Sequence, residues 1–401
     1  MSNPLLDFSA LPRFESIRAE HVEPAVDVLI AEGRGTIERL ASLDIAPTWD
    51  NFVEPLDDAN EKLARMWAQV SHLNAVLNSP ELRTAYNASL PKVTQYFSEQ
   101  GQDQRLHAGF KALRAAGAFE SAPPARKRHV ENELRDFRLG GAELPPPEKA
   151  RFLAIQEELA KLASRFQDNV LDATNDFGLF VEDEAELSGI PQDVRDTARE
   201  AAAKEGRKGW KLTLHMPCYQ PVMQYADHHG LRERMYRAYV TRASEFGKPE
   251  WDNTSNIRRL LELRAEGARL LGYTSFADVS LATKMAASPG EALEFLDDLA
   301  RRSKPFAERD MGELRAFARG DLNLADVRAS DAAYVSEKLR QRRYSFSDQE
   351  VKQYFPEEEV IAGMFRVVET IYGVKIRGAE AETWHPTVRF YEISDAAGGR
   401  I

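Results

Sequence analysis

The sequence contains a single cysteine, Cys218, among its 401 residues. One thiol cannot form an internal disulfide, and it excludes any metal site that needs two or more cysteine ligands. The chain also has no uninterrupted apolar run of the roughly 20 residues that a membrane-spanning helix requires. Its amino terminus lacks the basic start and apolar core that are typical of a secretory signal. These absences favour a cytoplasmic protein with no membrane partner.

Positive charge is in deficit as well. The chain has 53 Lys and Arg against 64 Asp and Glu, a net charge of −11. Phosphate backbones are bound by basic surfaces, so this balance predicts that nucleic acid is not a partner. Hydrophobic residues make up 43 % and charged residues 29 % of the chain. Both values are ordinary for globular proteins, and the length is sufficient for a large buried core.

Recognisable catalytic motifs are also missing. None of the eight histidines is followed by glutamate, so the helical zinc motif H-E-x-x-H is absent. The histidines are His21, His72, His107, His129, His215, His228, His229 and His385. Adjacent residues on a helix face different directions, so we predict a helix-start role for the pair His228-His229 and no shared metal ion. Ser71-His72 shows no acidic partner in the sequence, and His385 is predicted to pack or to form a hydrogen bond.

Runs of like charge are predicted to be helix charges. The basic runs are Arg126–Arg128 and Arg340–Arg343, and the acidic runs are Asp297-Asp298 and Glu357–Glu359. Solvated helix ends explain them better than anion sites or a catalytic carboxylate pair. No glycine-rich phosphate loop is present. The sequence therefore predicts no catalytic residue and no metal ligand in this chain, and no motif identifies substrate-binding residues.

Helical periodicity dominates the features that are present. The longest apolar stripe steps by three and four residues through Phe152, Ile155, Leu159, Leu162, Phe166, Val170, Ala173 and Phe177. It predicts a helix over about 147–177 that is buried along one face, with a coiled-coil interaction arm as the alternative. Short strands are expected at Leu179–Val181 and Trp210–Leu214. The predicted fold class is mainly α, a large helical body with a small amount of β structure.

Three regions follow from these patterns. Residues 1–177 form an N-terminal helical region, and residues 178–344 form a helical region with a short β excursion. Residues 345–401 form the start of a further region. The chain shows no repeat of fixed period. No long flexible linker separates the three regions.

The C-terminal stretch predicts short elements in quick succession. Ser347 and Glu350 have the spacing of a capping box. Thr387–Ile393 is β-branched and aromatic, which indicates a strand, and Asp395–Gly399 is typical of a turn. Arg400 and Ile401 would then begin a returning strand. We therefore expect a truncated chain in which the strand before the turn has lost its partner.

Seven stretches, taken in order, carry a resemblance that covers the whole chain. They are NPLLDFSALPRFESIRAEHVEPAV from Asn3, VSHLNAVLNSPELRTAY from Val70, QDNVLDAT from Gln167, YQPVMQYADHHGLRERMYRAYVTRASE from Tyr219, LATKMAASP from Leu281, YFPEEEVIAGMFRVVETIYGV from Tyr354 and WHPTVRFYEI from Trp384. Together they resemble the thimet-oligopeptidase family of zinc metallopeptidases. None of these stretches is itself a catalytic motif.

The resemblance implies a mostly helical fold split by a deep channel that admits short peptides. In that family an H-E-x-x-H helix and a later glutamate bind zinc, and the motif glutamate activates water. Those residues would lie beyond Ile401, so the resemblance implies that residues 345–401 are the start of the catalytic region, truncated before the zinc-binding helix. The resemblance thus implies the N-terminal portion of a zinc-dependent oligopeptidase. We expect zinc in the full-length protein and none in this chain, no activity from these 401 residues alone, and self-association through the truncated surface.

A second hypothesis belongs to another functional class. The chain could be a non-catalytic helical scaffold that binds peptides or a partner protein. The reading frame after Ile401 distinguishes the two, because codons for an H-E-x-x-H motif would support the peptidase and a stop codon would support the scaffold.

Overall fold

A computed structural model describes residues 3–42, 45–346 and 348–401. This part of the chain contains sixteen α-helices and four short strands. The helices are α1 (Val22–Ala41), α2 (Glu54–Val76), α3 (Pro80–Gly101), α4 (Gln104–Ala115), α5 (Gly117–Glu120), α6 (Pro124–Leu139), α7 (Pro146–Asp176), α8 (Gln192–Lys204), α9 (Met216–Tyr225), α10 (His229–Val240), α11 (Thr254–Leu270), α12 (Phe276–Leu281), α13 (Pro289–Asp321), α14 (Ala332–Tyr344), α15 (Asp348–Lys352) and α16 (Glu357–Tyr372). The strands are β1 (Leu179–Val181), β2 (Trp210–Leu212), β3 (Lys375–Ala379) and β4 (Phe390–Ser394). The mainly α prediction is confirmed.

Helix boundaries follow local sequence signals closely. The predicted long helix is α7, and it begins and ends within one residue of the predicted limits. Proline at the first helical positions sets its start, because that turn needs no N–H donors. The same rule applies to α6. Pro124 begins this helix, and the basic run Arg126–Arg128 lies on its first turns.

Two small antiparallel sheets are present in the described residues. Strand β1 pairs with β2, with Val181 opposite Trp210. The backbone before β2 passes so close to Val181 of β1 that position 209 requires glycine. Its φ is +86°, and a Cβ there would lie 2.3 Å from the Val181 carbonyl oxygen.

Strand β4 has a partner, which corrects the expectation drawn from the C-terminal stretch. It pairs along its whole length with β3, from Lys375 opposite Ser394 to Ala379 opposite Phe390. The partner precedes β4 in the chain, and the β-branched pattern alone did not reveal this. After the turn, Arg400 forms a β-bridge to Ser394, and the Ile401 N–H donates to the Ile393 carbonyl at 3.0 Å. Ser347 lies outside the described residues, and so does its predicted capping box with Glu350.

The chain divides into two compact units, each assembled from separate segments. Unit 1 comprises Met1–Ser164, Arg259–Lys284 and Val368–Ile401. Its core packs α1 to α4 and α6, with fully buried side chains such as Leu63, Met66 and Phe110. The C-terminal segment joins this core through Trp384, whose ring lies 4.2 Å from that of His72 and 5.1 Å from that of Phe14. An ion pair between Arg13 and Glu382, at 3.6 Å, accompanies this contact.

The middle segment of unit 1 is held by paired charges between α7 and α11. Arg151 donates from Nε and Nη2 to the two carboxylate oxygens of Glu266, each at 2.6 Å. Arg259 contacts Glu158 in the same bidentate way, at 2.6 and 2.9 Å. Forked guanidinium–carboxylate contacts fix orientation as well as distance. They set the register of the two helices.

Unit 2 comprises Arg165–Arg258 and Met285–Val367. Its main core lies around β1, β2, α9 and α10 and includes Leu187, Leu212, Leu231 and Met235. A smaller cluster of Ala318, Tyr334 and Val335 joins α13 to α14. No helix in the described part of the chain is both long enough and apolar enough to cross a bilayer.

The apolar stripe of α7 is only partly buried. Phe152 and Ile155 are 3 % and 0 % exposed, but Phe166 and the later stripe residues are half-buried. The expectation of burial along the whole face therefore holds for the first turns and is wrong for the rest. Full burial of Phe166 would have implied a loss of about 3–5 kcal/mol on truncation to alanine.

We expect Ile155→Ala to lower the free energy of unfolding by about 2–5 kcal/mol, since it removes a fully buried side chain. Phe166→Ala should cost less than Ile155→Ala, because Phe166 already contacts solvent. Lys161→Ala, an exposed position on the same helix, should stay within about 0.5 kcal/mol of wild type. Denaturant unfolding measures all three. A larger loss for Phe166→Ala than for Ile155→Ala would contradict this burial pattern.

Candidate functional site

The histidines singled out by sequence have structural partners. His228 caps α10, where its Nδ1 accepts a hydrogen bond from the Leu231 N–H at 3.0 Å. This confirms its predicted helix-start role. His385 Nδ1 lies 2.8 Å from the hydroxyl of Thr387, as expected of a hydrogen-bonding histidine. His72 packs against Trp384, and no hydrogen bond or ion pair joins it to a carboxylate within the described residues.

Metal-ligating side chains do not converge. Across residues 3–42, 45–346 and 348–401, no group of three or more His, Cys, Asp or Glu is placed to hold a metal ion. The lone thiol, Cys218, accepts a hydrogen bond from the Thr213 N–H, and burial raises its pKa. A raised pKa keeps the thiol protonated, which disfavours its use as a ligand or nucleophile.

The charge runs act on their own helices or on close neighbours. Arg126 lies over the ring of Trp49, with 4.6 Å between the guanidinium carbon and the ring centroid. Glu357, Glu358 and Glu359 form the first turn of α16, where the helix dipole favours negative charge. Asp298 pairs with Arg302 one turn later, at 2.7 Å. These placements confirm the helix-charge interpretation for these residues.

The most completely buried polar cluster in the described residues lies in unit 2, and no sequence pattern indicated it. Arg232 on α10 is 1 % exposed, and Asp331 just before α14 is 0 % exposed. Arg232 Nη2 donates to Asp331 Oδ1 at 2.7 Å, and Arg232 Nη1 donates to the Ala226 carbonyl at 2.6 Å. His229 Nδ1 lies 2.9 Å from the same Asp331 oxygen. The partners are 99 residues apart in the chain, so no local pattern reveals the pair.

Electrostatics explains why Asp331 remains ionised. Burial acts to raise its pKa, because it removes the carboxylate from water. The hydrogen bonds from Arg232 and His229, together with the charge of Arg232, outweigh burial and hold the pKa of Asp331 below its usual value. The Arg232 guanidinium also lies 4.0 Å from the ring centroid of Tyr334. The buried negative charge of Asp331 is thus balanced by the positive charge of Arg232, and His229 provides a further hydrogen bond.

A second carboxylate, Asp227, extends this network toward the surface. It accepts hydrogen bonds from the hydroxyls of Ser188 and Tyr334, both at 2.9 Å, and pairs with Lys338 at 3.0 Å. Gly189 makes the close approach possible, since its φ is +83° and a Cβ would lie 2.2 Å from the Tyr225 carbonyl oxygen. The network therefore positions α10 and α14, and it contains no evident nucleophile.

Two helices present apolar side chains to solvent. On α13 the exposed residues are Leu293, Phe295, Leu296, Leu299 and Phe306. On α16 they are Val360, Met364, Val367 and Ile371, which recur every three or four residues. These two sets, here called the α13 face and the α16 face, are 46–68 % exposed. Patches of this kind mark surfaces that are covered by another part of a protein or by a partner.

Comparison with known proteins places these features in a family. Residues 222–401 match the family model described as Peptidase family M3, and residues 26–149 match the N-terminal domain of neurolysin and thimet oligopeptidase. The chain is therefore similar to peptidase family M3 over residues 222–401. This confirms the resemblance found in the sequence, and the M3 match includes both Arg232 and Asp331.

Individual relatives show how much of a family member the chain represents. It is 42 % identical to oligopeptidase A of Haemophilus influenzae and of Escherichia coli, in each case over 98 % of this chain and 58 % of the relative. It is 36 % identical to the organellar oligopeptidase A of Arabidopsis thaliana, over 100 % of this chain and 51 % of the relative. The chain therefore spans little more than half the length of the M3 relatives it matches.

The buried pair generates a stability prediction. Asp331→Asn should destabilise the protein by about 3–5 kcal/mol, because it leaves the Arg232 charge buried without a counter-ion. The lowered pKa of Asp331 also means that its contribution is fully present above the unfolded-state value of about 3.9 and is lost as the pH falls through the folded value. Thermal unfolding between neutral pH and pH about 3 measures both effects.

Asp310→Asn is the matched control, since Asp310 is an exposed aspartate in a surface ion pair with Arg309. It should change stability by at most about 1 kcal/mol. Equal effects of the two substitutions would show that the Asp331 pair does not hold unit 2 together.

Proposed function

We propose that this chain is the N-terminal part of a zinc-dependent oligopeptidase that hydrolyses short peptides in the cytoplasm. One observation carries the proposal: nearly the whole chain aligns with oligopeptidase A at 42 % identity while covering only 58 % of that protein. The names of these relatives specify peptidase action on oligopeptides. The net charge of −11 also argues for peptides over nucleic acid as the substrate class.

Zinc would be held by residues outside these 401. The described part of the chain contains no converging set of metal ligands, so it does not fit the ion. We therefore assign no step of hydrolysis to a residue of this chain. Its proposed contribution is the helical body on which the remainder of the enzyme is built. The division into regions 1–177, 178–344 and 345–401 remains part of this proposal.

The α13 and α16 faces support the same proposal. Their exposed Leu, Phe, Val and Met side chains would gain free energy on burial at roughly 25 cal/mol per Å² of apolar surface. Polypeptide corresponding to the rest of the relatives' length is the proposed cover. Without that cover, we propose that the faces bring copies of this chain together.

The first test is enzymatic. The 401-residue chain should not cleave a short quenched-fluorescence peptide with added zinc, because hydrolysis requires a metal-bound water and a carboxylate base. A longer form that continues over the full length of the relatives should cleave it, and a chelator should stop the reaction. Escherichia coli oligopeptidase A serves as the positive control.

Either of two results would count against the proposal. Chelator-sensitive turnover by the 401-residue chain would show that it contains its own catalytic site. Absence of cleavage by the longer form, with the control active, would favour the non-catalytic scaffold.

The second test concerns self-association. The sedimentation coefficient of the 401-residue chain should rise with concentration, since apolar faces of this kind associate in water. The double variant Met364→Glu/Val367→Glu places two charges on the α16 face and should reduce that rise. Leu11→Glu, an exposed apolar position in unit 1, is the control and should leave it unchanged. A concentration-independent wild-type value would exclude association through these faces.

A further inference from the structure

A groove of about 480 Å³ lies in unit 2 between one face of α9 and one face of α14. From α9 it is lined by Tyr219, Gln220 and Met223, which recur at helical spacing and so share a face. From α14 it is lined by Ala333 and Ser336. We refer to it as the α9–α14 groove. It contains neither Arg232 nor Asp331.

The groove exists because large side chains face small ones. Ala333 and Ser336 are too short to fill the space opposite Tyr219 and Met223. Protein interiors are normally packed with few voids, so two helices in contact would be expected to close such a gap. The volume lies in the range of pre-formed ligand sites.

The part of the groove lining here called its floor is an ion pair between Glu337, which is buried, and Arg340, which is partly exposed. Glu337 is 3 % exposed and accepts hydrogen bonds from Gln224 Nε2 at 3.0 Å and from Gln341 Nε2 at 2.7 Å. Arg340 pairs with the same carboxylate. The Gln224 bond joins α9 to α14, so it fixes the separation of the helices. Because Glu337 and Arg340 neutralise each other, the floor offers little net charge to a ligand.

The aromatic wall is also fixed in position. The ring of Tyr219 stacks on that of Tyr239, with centroids 4.1 Å apart and planes 13° apart. The Tyr239 hydroxyl donates to the sulfur of Met216, another lining residue, at 3.7 Å. A rigid aromatic surface beside two thioethers suits an apolar or aromatic side chain.

Three polar groups in the lining remain available for a ligand. The side chains of Gln220 and Ser336, and the hydroxyl of Tyr236, make no hydrogen bond to another described residue. An amide offers donors and an acceptor together, and each hydroxyl can do either. This set complements the N–H and C=O groups of a peptide backbone. It carries no full charge, so it does not select an ionic ligand.

We propose that the α9–α14 groove binds a short stretch of extended peptide, with an apolar or aromatic side chain against Tyr219 and Met223 and its flanking backbone amides at Gln220, Ser336 and Tyr236. The choice of peptide as the ligand class rests on the proposed oligopeptidase function. The groove then selects for an apolar residue at one position of the peptide.

Fluorescence anisotropy of a labelled peptide tests this on the intact 401-residue chain. The probe is a short blocked alanine peptide with one central phenylalanine, compared with the same peptide carrying glycine there. The phenylalanine peptide should bind roughly tenfold or more tightly, which is the scale of burying one large apolar side chain. Ser336→Trp fills the groove from an exposed position and should abolish that preference.

Arg342→Trp is the matched control, because it adds the same side chain at an exposed position of α14 that does not line the groove. It should bind both peptides as wild type does. Gln220→Ala removes one amide without adding bulk and should lower the affinity for both peptides equally. It provides a second test of the groove should Ser336→Trp fail to fold. Unchanged binding in both Ser336→Trp and Gln220→Ala, or no binding by wild type, would overturn the proposal.

These outcomes are separable from those of the proposed function. The assay measures equilibrium binding by a chain that is not expected to hydrolyse the probe. Cleavage by the longer form together with groove-independent binding would refute the groove and leave the oligopeptidase proposal intact. Groove-dependent binding without cleavage by the longer form would do the reverse.

Discussion

The carboxylate of Asp331 has no contact with water, so unit 2 must supply a partner for its charge. Arg232 provides that partner, and it also donates to the Ala226 carbonyl at the end of α9. One guanidinium thereby ties α9, α10 and the start of α14 to a single point. Removing either charge would leave the other buried alone, a cost of several kcal/mol. Asp227 bonds to Tyr334 and Lys338, and this group adjoins the pair because the Tyr334 ring lies 4.0 Å from the Arg232 guanidinium.

Unit 1 depends on a different constraint, because segments that lie far apart in the chain must pack into one core. Trp384 reaches back to Phe14 and His72, and α11 is aligned on α7 by two forked ion pairs. Aromatic edge contacts and bidentate guanidinium–carboxylate pairs are directional, so they specify orientation where simple apolar burial does not. Each unit is therefore continuous in space and discontinuous in sequence.

In the described residues, the features that bear on function are exposed surfaces and a groove. Residues 222–401 match the model of peptidase family M3, but the described residues bring no set of metal ligands together. What they do bring together is an apolar face on α13, another on α16, and the α9–α14 groove with unused hydrogen-bonding groups. A peptidase needs surfaces that position its substrate as well as groups that cleave it, and the groove is the surface that we propose for such positioning.

Sequence patterns were sufficient to predict the helical class, the limits of α7, the capping role of His228 and the family resemblance, because periodicity, caps and motifs are local or linear signals. It misjudged features that depend on partners far along the chain. Strand β4 pairs with β3 and was not left without a partner, and the stripe of α7 is fully buried only at Phe152 and Ile155. For the same reason, no sequence pattern predicted the Arg232–Asp331 pair or the α9–α14 groove. Side chains about 100 residues apart carry no shared periodicity. Which charges pair, and where two helix faces leave a space between them, therefore depends on how distant elements pack.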